Sequence, residues 1–337
     1  MANRRLSLEF YLAARRYRRR GVRRPFFVSW RITDRCTRRC EYCDLTAGPT
    51  AELEPAEARK LLREMIAAGT RWVNWTGGEP LLRPDLIALA REAAAASLAV
   101  SVNTNGDLLP EVVSELPAGT RIGLSLDGPE AVQDAIRGPG SAAATFRALE
   151  AARGRGLPVS LTCILTAANC DSLDYPLRIA AEQRLPISFQ PVIASALGSE
   201  RRHSLSPSPE QLTAAYARIA AEIRRGNRWI ENSLQNLEHL FGRSPVGAAP
   251  CVGGALAVRI TPDGSLTACW GRQIDGPERI AYGPISFADA FSRLRPQDCS
   301  RCWCSGIVEA NLVARDSVPR IFARAFHELA RSVPWKR

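Results

Sequence analysis

The sequence has little of what secreted, membrane-spanning and histidine-dependent proteins require. Its basic start lacks the uninterrupted apolar stretch of a secretory signal, and no later segment offers the roughly 18 apolar residues of a membrane span. Three of the 337 residues are histidines, His203, His239 and His327. Their scattered positions give no metal triad and no Ser–His or Cys–His pair. These absences predict a cytoplasmic chain, in which disulfides are rare.

Acidic residues are scarce at the start of the chain. Residues 1–24 hold nine arginines against one acid, Glu9, a charge of +8 out of the total of +11. Apolar residues recur there at helical spacing: Leu6, Phe10, Ala13 or Ala14, and Tyr17. This pattern predicts an amphipathic docking helix whose outer face is covered by arginines. The alternative is contact with an anionic partner such as nucleic acid, an acidic redox protein or, through residues 1–24, the surface of a membrane.

The sequence contains ten cysteines, and eight of them fall into two groups. The first group has the spacing C-x3-C-x2-C and consists of Cys36, Cys40 and Cys43. The second group lies between residues 251 and 304: Cys251, Cys269, Cys299, Cys302 and Cys304. Clustered cysteines in a cytosolic chain indicate metal or redox chemistry. Cys163 and Cys170 stand apart and are expected to be buried structural thiols.

From residue 26 the sequence alternates short β-rich runs with longer helical patterns. Six runs have strand composition: FFVSWRIT (26–33), RWVNWT (71–76), LAVSVN (98–103), RIGLSL (121–126), PVSLTCIL (158–165) and PISFQPVI (186–193). The alternation predicts an α/β fold with a parallel, partial (β/α)6 TIM-like barrel. In such a barrel the chemistry takes place where the strands end.

The rest of the sequence divides where its composition changes. A Ser/Pro-rich stretch at 194–210 ends the barrel, and a Gly/Pro/Cys-rich region begins at 244 and contains the turn TPDGS. The expected domains are the N-terminal helix (1–25), the barrel core (26–205), a helical linker (206–243), a small Cys-rich β-hairpin/α domain (244–310) and a C-terminal helix (311–337).

Three closely spaced cysteines suit an open metal site. A structural zinc ion takes four protein ligands, and an iron–sulfur cluster is ordinarily bound by four thiolates. With three thiolates, one coordination position stays available for water, substrate or another small molecule. The first group therefore indicates a catalytic centre.

The stretch CTRRCEYC resembles the cysteine motif of the radical S-adenosylmethionine (SAM) superfamily, and further motifs follow in order. WTGGEP follows the second strand, NTNG the third and SLDGPEAVQDAIRGPGS the fourth, so the resemblance spans residues 26 to about 193. It implies that Cys36, Cys40 and Cys43 hold a catalytic [4Fe–4S] cluster with an open iron site. Such a cluster splits SAM into methionine and a 5′-deoxyadenosyl radical, which abstracts hydrogen from a substrate.

The same resemblance implies a set of SAM contacts. It assigns the SAM amino group to Glu79 and the ribose or carboxylate to Ser125 and Arg137, while Tyr42 flanks the nucleotide. Further contacts are expected from Gly77, Gly78 and Thr104. Glycines let a backbone approach a ligand closely, and a carboxylate suits an ammonium group. Gln133 stands where relatives commonly have a histidine, so no imidazole role is carried over.

The second cysteine group resembles the twitch domain, the short relative of the SPASM domain found behind radical SAM barrels. Its five thiols exceed the four that one auxiliary [4Fe–4S] cluster needs, and a zinc ribbon is the alternative. The expected ligands are Cys251, Cys269, Cys299 and Cys302, with Cys304 either replacing one of them or free as a hydrogen donor. There are too few cysteines for a full SPASM domain. The motifs C-x2-C-x13-C and terminal Gly-Gly of the molybdopterin-forming GTP cyclases are missing, so that activity is set aside.

These patterns predict an enzyme that acts on an unactivated C–H bond by oxidation, epimerisation or rearrangement. An auxiliary cluster and a flavodoxin- or ferredoxin-type electron donor would assist it. A small-molecule or lipid-linked substrate is expected, because residues 1–25 are too short for the leader-peptide domain of many peptide maturases. The alternatives are a radical SAM/SPASM peptide maturase and, in another class, a non-catalytic iron–sulfur or zinc protein that binds RNA. Nucleic acid is not expected as a partner, because the sequence has no RNA-binding sheet motif.

Overall fold

The strands of the computed structural model follow the six predicted runs to within two residues at either end. The structure describes residues 2–43, 51–192, 205–242, 251–269, 279–296, 302 and 304–315. The strands are β1 (Phe27–Thr33), β2 (Trp72–Gly77), β3 (Ala99–Thr104), β4 (Arg121–Ser125), β5 (Val159–Leu165), β6 (Ile187–Pro191), β7 (Ala257–Ile260) and β8 (Leu266–Thr267). The helices are α1 (Ala2–Arg20), α2 (Pro55–Ala67), α3 (Leu86–Ala95), α4 (Leu109–Val112), α5 (Glu130–Arg137), α6 (Ser141–Gly154), α7 (Asp174–Glu182), α8 (Pro209–Arg224), α9 (Leu234–Leu240), α10 (Phe287–Arg293) and α11 (Ser305–Arg315).

All the described strands belong to one sheet, with the order β6-β5-β4-β3-β2-β1-β7-β8. Strands β1 to β6 pair in parallel with their neighbours, because helical crossovers return the chain to the same end of the sheet each time. Within the described residues, β6 and β8 form the two edges, so hydrogen bonds do not close the sheet. The predicted partial barrel is confirmed.

The two faces of this sheet differ in polarity. On β1, Val28, Trp30 and Ile32 are fully buried and join the main hydrophobic core with apolar residues of α2 and α3. The alternate residues of β1, Ser29 and Arg31, lie on the opposite face. The register continues this inner face with partly accessible polar residues: Asn74, Thr76, Thr162, Ser188 and Gln190. A parallel sheet that is covered on both faces has apolar residues on both faces. Because the inner face of this sheet is polar and partly accessible, it borders an accessible lumen.

Helix α1 docks on the segment that follows residue 250. Ala13 and Ala14 are buried in a second hydrophobic cluster that includes Ile307 of α11. Arg18 Nη1 donates a 2.9 Å hydrogen bond to the carbonyl of Ala314. The predicted docking helix is therefore present, and its contact with the surface of a membrane stays a prediction. None of the described helices is long and apolar enough to cross a membrane.

The described residues of the Cys-rich region continue the barrel sheet. Strand β7 pairs in parallel with β1, so that Arg259 stands opposite Ser29, and β8 returns antiparallel to β7. At the far edge, the Ser305 amide at the start of α11 donates to Gln190 Oε1 of β6 at 3.1 Å. The region thus contacts both β1 and β6, the two ends of the six-stranded barrel. The separate domain predicted at 244–310 therefore shares its sheet with the barrel.

Candidate active site

The first cysteine group lies in the cysteine loop, residues 34–43, which follows β1 at the carboxyl end of the sheet. On one side of the loop, Arg38 forms an ion pair with Asp107, in the connection after β3. On the other side, the Glu41 amide donates to the carbonyl of Ile136 in α5 at 2.9 Å. The loop is therefore held between the end of β3 and helix α5.

The thiols of this loop influence one another electrostatically. Burial raises the pKa of Cys36 and raises the pKa of Cys40 to about 11, and the charge of Cys43 adds to both shifts. The Cys36 sulfur accepts hydrogen bonds from the Arg38 amide at 3.4 Å and from Asn105 Nδ2 at 3.6 Å. Cys36 and Cys40 therefore hold their protons at neutral pH, and metal binding would release those protons.

The donor set of the cysteine loop consists of three thiols, the ligand type that binds iron–sulfur clusters. Each thiolate of a four-iron cubane binds a different iron, so its sulfurs surround the cluster and are not directed at one point. Cys36, Cys40 and Cys43 are partly accessible in one loop and act on one another. They fit a [4Fe–4S] cluster whose fourth iron accepts another ligand.

Gly77 and Gly78 bring the end of β2 against the cysteine loop. The Gly78 amide donates to the Thr33 carbonyl at 2.9 Å, and the Glu79 amide donates to the Arg35 carbonyl at 2.8 Å. A Cβ atom on Gly77 would stand 2.3 Å from the Thr33 oxygen, and one on Gly78 would stand 2.2 Å from the Arg35 oxygen. Neighbouring backbone therefore requires these glycines. Their predicted contact with SAM stays a prediction.

Glu79 connects the ends of β2 and β3. Its carboxylate is fully buried and accepts hydrogen bonds from Thr104 Oγ1 at 2.9 Å, the Asn105 amide at 2.8 Å and the Leu81 amide at 3.1 Å. Burial raises the pKa of Glu79 to about 7, although the amides of Asn105 and Leu81 oppose the shift. The structure thus brings together Glu79 and Thr104, and Asn105 links them to Cys36.

A buried ion pair that the sequence analysis missed lies on the other side of the cysteine loop. Asp127 is fully buried, and one of its carboxylate oxygens lies 2.5 Å from Arg137 Nε. Ile164 donates its amide to the other oxygen at 2.8 Å. The Tyr42 hydroxyl also donates to Asp127, at 3.4 Å, and the Arg137 guanidinium lies 5.3 Å from the Tyr42 ring centroid. Burial opposes the charge on Arg137, but Asp127 and Tyr42 outweigh it, so the pKa of Arg137 is raised. The sequence signal that could have identified Asp127 is an acidic residue two positions beyond the end of a buried strand.

Gln133 supports Asp127 from the position where relatives commonly have histidine. Its side chain accepts from the Asp127 amide at 2.6 Å and donates to the Ser125 carbonyl at 3.2 Å. Gln133 lies on α5, a helix that the sequence patterns do not predict and that begins after Pro129. Ser125 ends β4 opposite Thr162. The predicted contact Ser125 is thus at the end of the inner face, and Gln133 holds its backbone.

In the second group, Cys304 lies directly before α11. Four of its five cysteines lie in the described residues: Cys251, Cys269, Cys302 and Cys304. The predicted ligand Cys299 lies outside them. Burial raises the pKa of Cys304, while the Ile307 and Gly306 amides at the start of α11 donate to its sulfur and lower it. The charge of Cys269 also acts on Cys304. The expectation that Cys304 replaces one of the other ligands stays a prediction.

The remaining described cysteines are held by groups that sequence reasoning did not single out. The Cys251 sulfur accepts from the Gly253 amide at 3.3 Å and from Asn311 Nδ2 at 3.7 Å. His239, which is isolated in the sequence, has its Nε2 atom 2.6 Å from the carbonyl of Cys302. Because α9 and α11 supply His239 and Asn311, both helices position the second group.

The barrel and the first cysteine group agree with the family comparison. The Radical SAM superfamily model matches residues 30–168, so that part of the chain belongs to the superfamily. It is 30% identical over 261 residues to the mycofactocin maturase MftC of Mycolicibacterium smegmatis, covering 74% of this chain and 65% of that relative. The chain thus spans just under two thirds of the length of MftC. It is also 29% identical over 304 residues to the PqqA peptide cyclase of Xanthomonas campestris pv. campestris, covering 82% and 79% of the two chains.

Solved structures share the fold. Streptococcus suis SuiB bound to S-adenosylmethionine has a TM-score of 0.64 at 12% identity, covering 82% of this chain and 68% of that one. The enzyme anSMEcpe with bound AdoMet has a TM-score of 0.63 at 16% identity, covering 90% and 99%. The expectation of a [4Fe–4S] cluster and SAM, with a SPASM-type auxiliary cluster, is confirmed at the level of the family. For the substrate, the relatives favour the peptide-maturase alternative over the small-molecule interpretation.

Proposed function

We propose that this chain is a radical SAM enzyme that modifies a peptide. The observation that carries the proposal is the similarity to the PqqA peptide cyclase, which extends over 82% of this chain and 79% of that protein. SuiB, a neighbour in fold, has also been solved with its precursor peptide SuiA. The accessible inner face agrees with this substrate class, because neutral side chains such as Asn74, Thr162 and Gln190 offer donors and acceptors to a peptide backbone.

The cysteine loop is the proposed catalytic centre. Cys36, Cys40 and Cys43 would hold the [4Fe–4S] cluster. When bound and reduced, the cluster supplies the electron that splits SAM into methionine and a 5′-deoxyadenosyl radical, which abstracts a substrate hydrogen. The chain's own contribution is to orient SAM and to exclude water.

The proposed SAM contacts lie on two sides of the cysteine loop. Glu79 and Thr104 lie on the β3 side. There the Glu79 carboxylate would accept hydrogen bonds from the SAM ammonium group. Tyr42 and Arg137 stand on the α5 side, where Asp127 fixes both by hydrogen bonding. We assign the nucleotide to Tyr42 and the ribose or carboxylate to Arg137. Ser125 belongs to the same side.

We assign the auxiliary cluster to Cys251, Cys269, Cys302 and Cys304. Cys304 is preferred to a free hydrogen donor for two reasons. The Gly306 and Ile307 amides donate hydrogen bonds to its sulfur, and its electrostatic interaction with Cys269 places the two thiols near each other. The hairpin brings Cys251 and Cys269 to one end, while α11 brings the other two. An electron donor of the flavodoxin or ferredoxin type would reduce the enzyme.

The decisive experiment is anaerobic reconstitution with iron and sulfide, followed by addition of dithionite, SAM and synthetic peptides encoded by short reading frames beside the gene. We expect 5′-deoxyadenosine and a mass change in one peptide. Replacing Cys36, Cys40 and Cys43 together by Ala should abolish SAM cleavage and leave the auxiliary iron in place. Cys163→Ala, in the core of β5, is the matched control and should retain both.

Two results would overturn the proposal. Absence of 5′-deoxyadenosine from protein that holds about eight irons, the content of two four-iron clusters, would exclude the radical SAM reaction. Cleavage of SAM coupled to a small molecule, with every peptide unchanged, would exclude the peptide substrate. Loss of all iron from the triple variant would show that the cysteines are divided wrongly between the two sites.

A further inference from the structure

Two arginines stand side by side on the inner face, where the barrel meets the β7–β8 hairpin. Ser29 of β1 pairs with Arg259 of β7, and Arg31 follows on the same face of β1 two residues later. A strand spacing of about 4.8 Å and a rise of about 3.3 Å per residue put the Cα atoms of Arg31 and Arg259 about 8 Å apart. The charge of Arg31 acts on Arg259 directly. Both guanidinium groups therefore reach the same part of the lumen.

Arg31 and Arg259 are both desolvated, and the charges of Asp34, Asp263 and Arg279 also act on Arg31. Arg31 Nε lies 3.1 Å from Asp34 Oδ1, with the side chains 12% and 6% exposed, but the two atoms are not aligned for a hydrogen bond. Burial lowers the pKa of Arg31. Burial, and then repulsion from Arg31, lowers the pKa of Arg259 to about 10, while Asp34 opposes both shifts. Desolvated like charges held next to each other favour an anion that bridges them.

The arginine pair interacts with both cysteine groups. Arg31 interacts electrostatically with Cys43 of the first group. Arg259 interacts electrostatically with Cys269 and Cys304 of the second group. The inner face beside them carries neutral polar side chains: Ser29, Asn74, Thr76, Thr162, Ser188 and Gln190. An anion held by the arginines would therefore lie within electrostatic reach of both proposed clusters.

We propose that Arg31 and Arg259 together bind a carboxylate of the substrate and so position the residue that carries it between the two centres. The inference rests on the peptide substrate proposed above. The carboxylate is the C-terminus of the peptide or an acidic side chain, since guanidinium groups bind both through the same pair of oxygens. The two arginines act as substrate-binding residues, and the chemistry belongs to the cysteine loop.

The first test uses small probes on the reconstituted, unreduced enzyme. N-acetylglycine carries a free α-carboxylate, N-acetylglycinamide is its neutral counterpart, and N-acetylaspartate α-methylamide carries a side-chain carboxylate alone. Binding is measured by saturation-transfer NMR, and phenylglyoxal labelling of Arg31 and Arg259 is mapped by mass spectrometry. We expect one or both carboxylates to bind and to protect both arginines, and the neutral amide to do neither. The probe that binds more tightly shows whether the site prefers the C-terminal carboxylate of a peptide or an acidic side chain.

Variants provide an independent measurement. Arg31→Gln and Arg259→Gln should each weaken carboxylate binding about tenfold or more, because each removes charge-assisted hydrogen bonds. Arg259→Lys should recover part of the binding. Arg121→Gln is the matched control, because Arg121 also lies on the inner face but at the start of β4, 4.0 Å from Glu231. It should bind the probes like the unmodified enzyme.

Three outcomes would overturn the inference: equal binding of the neutral amide, labelling of both arginines that carboxylates do not reduce, or Gln variants that lose affinity for SAM and keep the probe. The two proposals can also fail separately. A peptide modified equally fast with all its carboxylates amidated would refute the arginine site and leave the peptide function intact. Carboxylate binding that depends on both arginines, without modification of any peptide, would refute the peptide function and leave the anion site intact.

Discussion

The replacement Asp127→Asn tests whether the buried ion pair beside the cysteine loop holds the site together. Asp127 is fully buried, and the side chain of Arg137 is 8% exposed. An asparagine can still accept the Ile164 amide, but its NH2 group would then face Arg137 Nε, donor against donor. Removing one partner of a buried ion pair leaves an uncompensated charge and costs about 3–5 kcal/mol of unfolding free energy. We expect a loss of that size.

The assay is urea denaturation of the reduced, iron-free chain followed by tryptophan fluorescence and extrapolated linearly to water. The matched control is Asp174→Asn. Asp174 makes a similar contact with Arg218 Nε at 2.6 Å, but its side chain is 81% exposed. Surface pairs contribute less than about 1 kcal/mol, so this variant should unfold almost like the unmodified chain.

The double variant Asp127→Asn/Arg137→Met distinguishes two causes of lost stability: the uncompensated charge of Arg137 and the altered packing at the site. Replacing a buried pair by apolar groups of similar volume is often nearly neutral, so the double variant should regain most of the stability lost by Asp127→Asn. It should not regain SAM affinity, because Arg137 and the ordered Tyr42 are proposed to contact SAM. Equal losses for Asp127→Asn and Asp174→Asn would refute the reasoning, as would a double variant less stable than Asp127→Asn.

Three further predictions concern the two cysteine sites. Because burial raises the pKa of Glu79 to about 7 from 4.5, the folded chain keeps a proton that the unfolded chain releases. The stability that this group contributes is complete below about pH 4.5 and is lost as the pH rises through 7. Relative to Glu79→Gln, the iron-free chain should therefore lose up to about 3 kcal/mol of unfolding free energy between pH 4.5 and 8 in urea titrations. Gly78→Ala puts a Cβ atom 2.2 Å from the Arg35 oxygen and should cost about 2–4 kcal/mol through overpacking and lost backbone hydrogen bonds, with less iron in the reconstituted protein. Cys304→Ala should lose about four irons, one cluster, and retain the spectrum of the SAM-binding cluster.

Each of these predictions has a control and a contradicting result. Gly154→Ala, at the end of α6, adds a Cβ atom with nothing within 4 Å. It should leave the iron content unchanged and raise stability by up to about 1 kcal/mol, so a similar gain at Gly78 would contradict close packing. Cys163→Ala should keep all the iron. Unchanged iron content in Cys304→Ala would show that another cysteine is the fourth ligand of the auxiliary cluster. If the unfolding free energies of Glu79→Gln and the unmodified chain differ by the same amount at every pH, Glu79 is not the titrating group.

The sequence by itself determined the features that depend on neighbours along the chain. Each of the six barrel strands was placed to within two residues, because alternating apolar and polar positions are a local signal of a strand with one buried face. The spacing of Cys36, Cys40 and Cys43, and the order of the motifs behind them, indicated the family in the same way. The docking face of α1 also followed from its periodicity.

Tertiary structure alone decided which distant residues meet. The sequence contains Asp127 and Arg137, but only the start of α5 after Pro129 brings their side chains together. The sequence suggested Gly77 and Gly78 as close-approach positions, but only the fold shows that the carbonyls of Thr33 and Arg35 already lie against them. Arg31 and Arg259 are separated by most of the chain and become neighbours because β7 adds to β1. Strand pairing of this kind is chosen by the burial and hydrogen bonding of the whole sheet, and a four-residue strand carries no local signal of its partner.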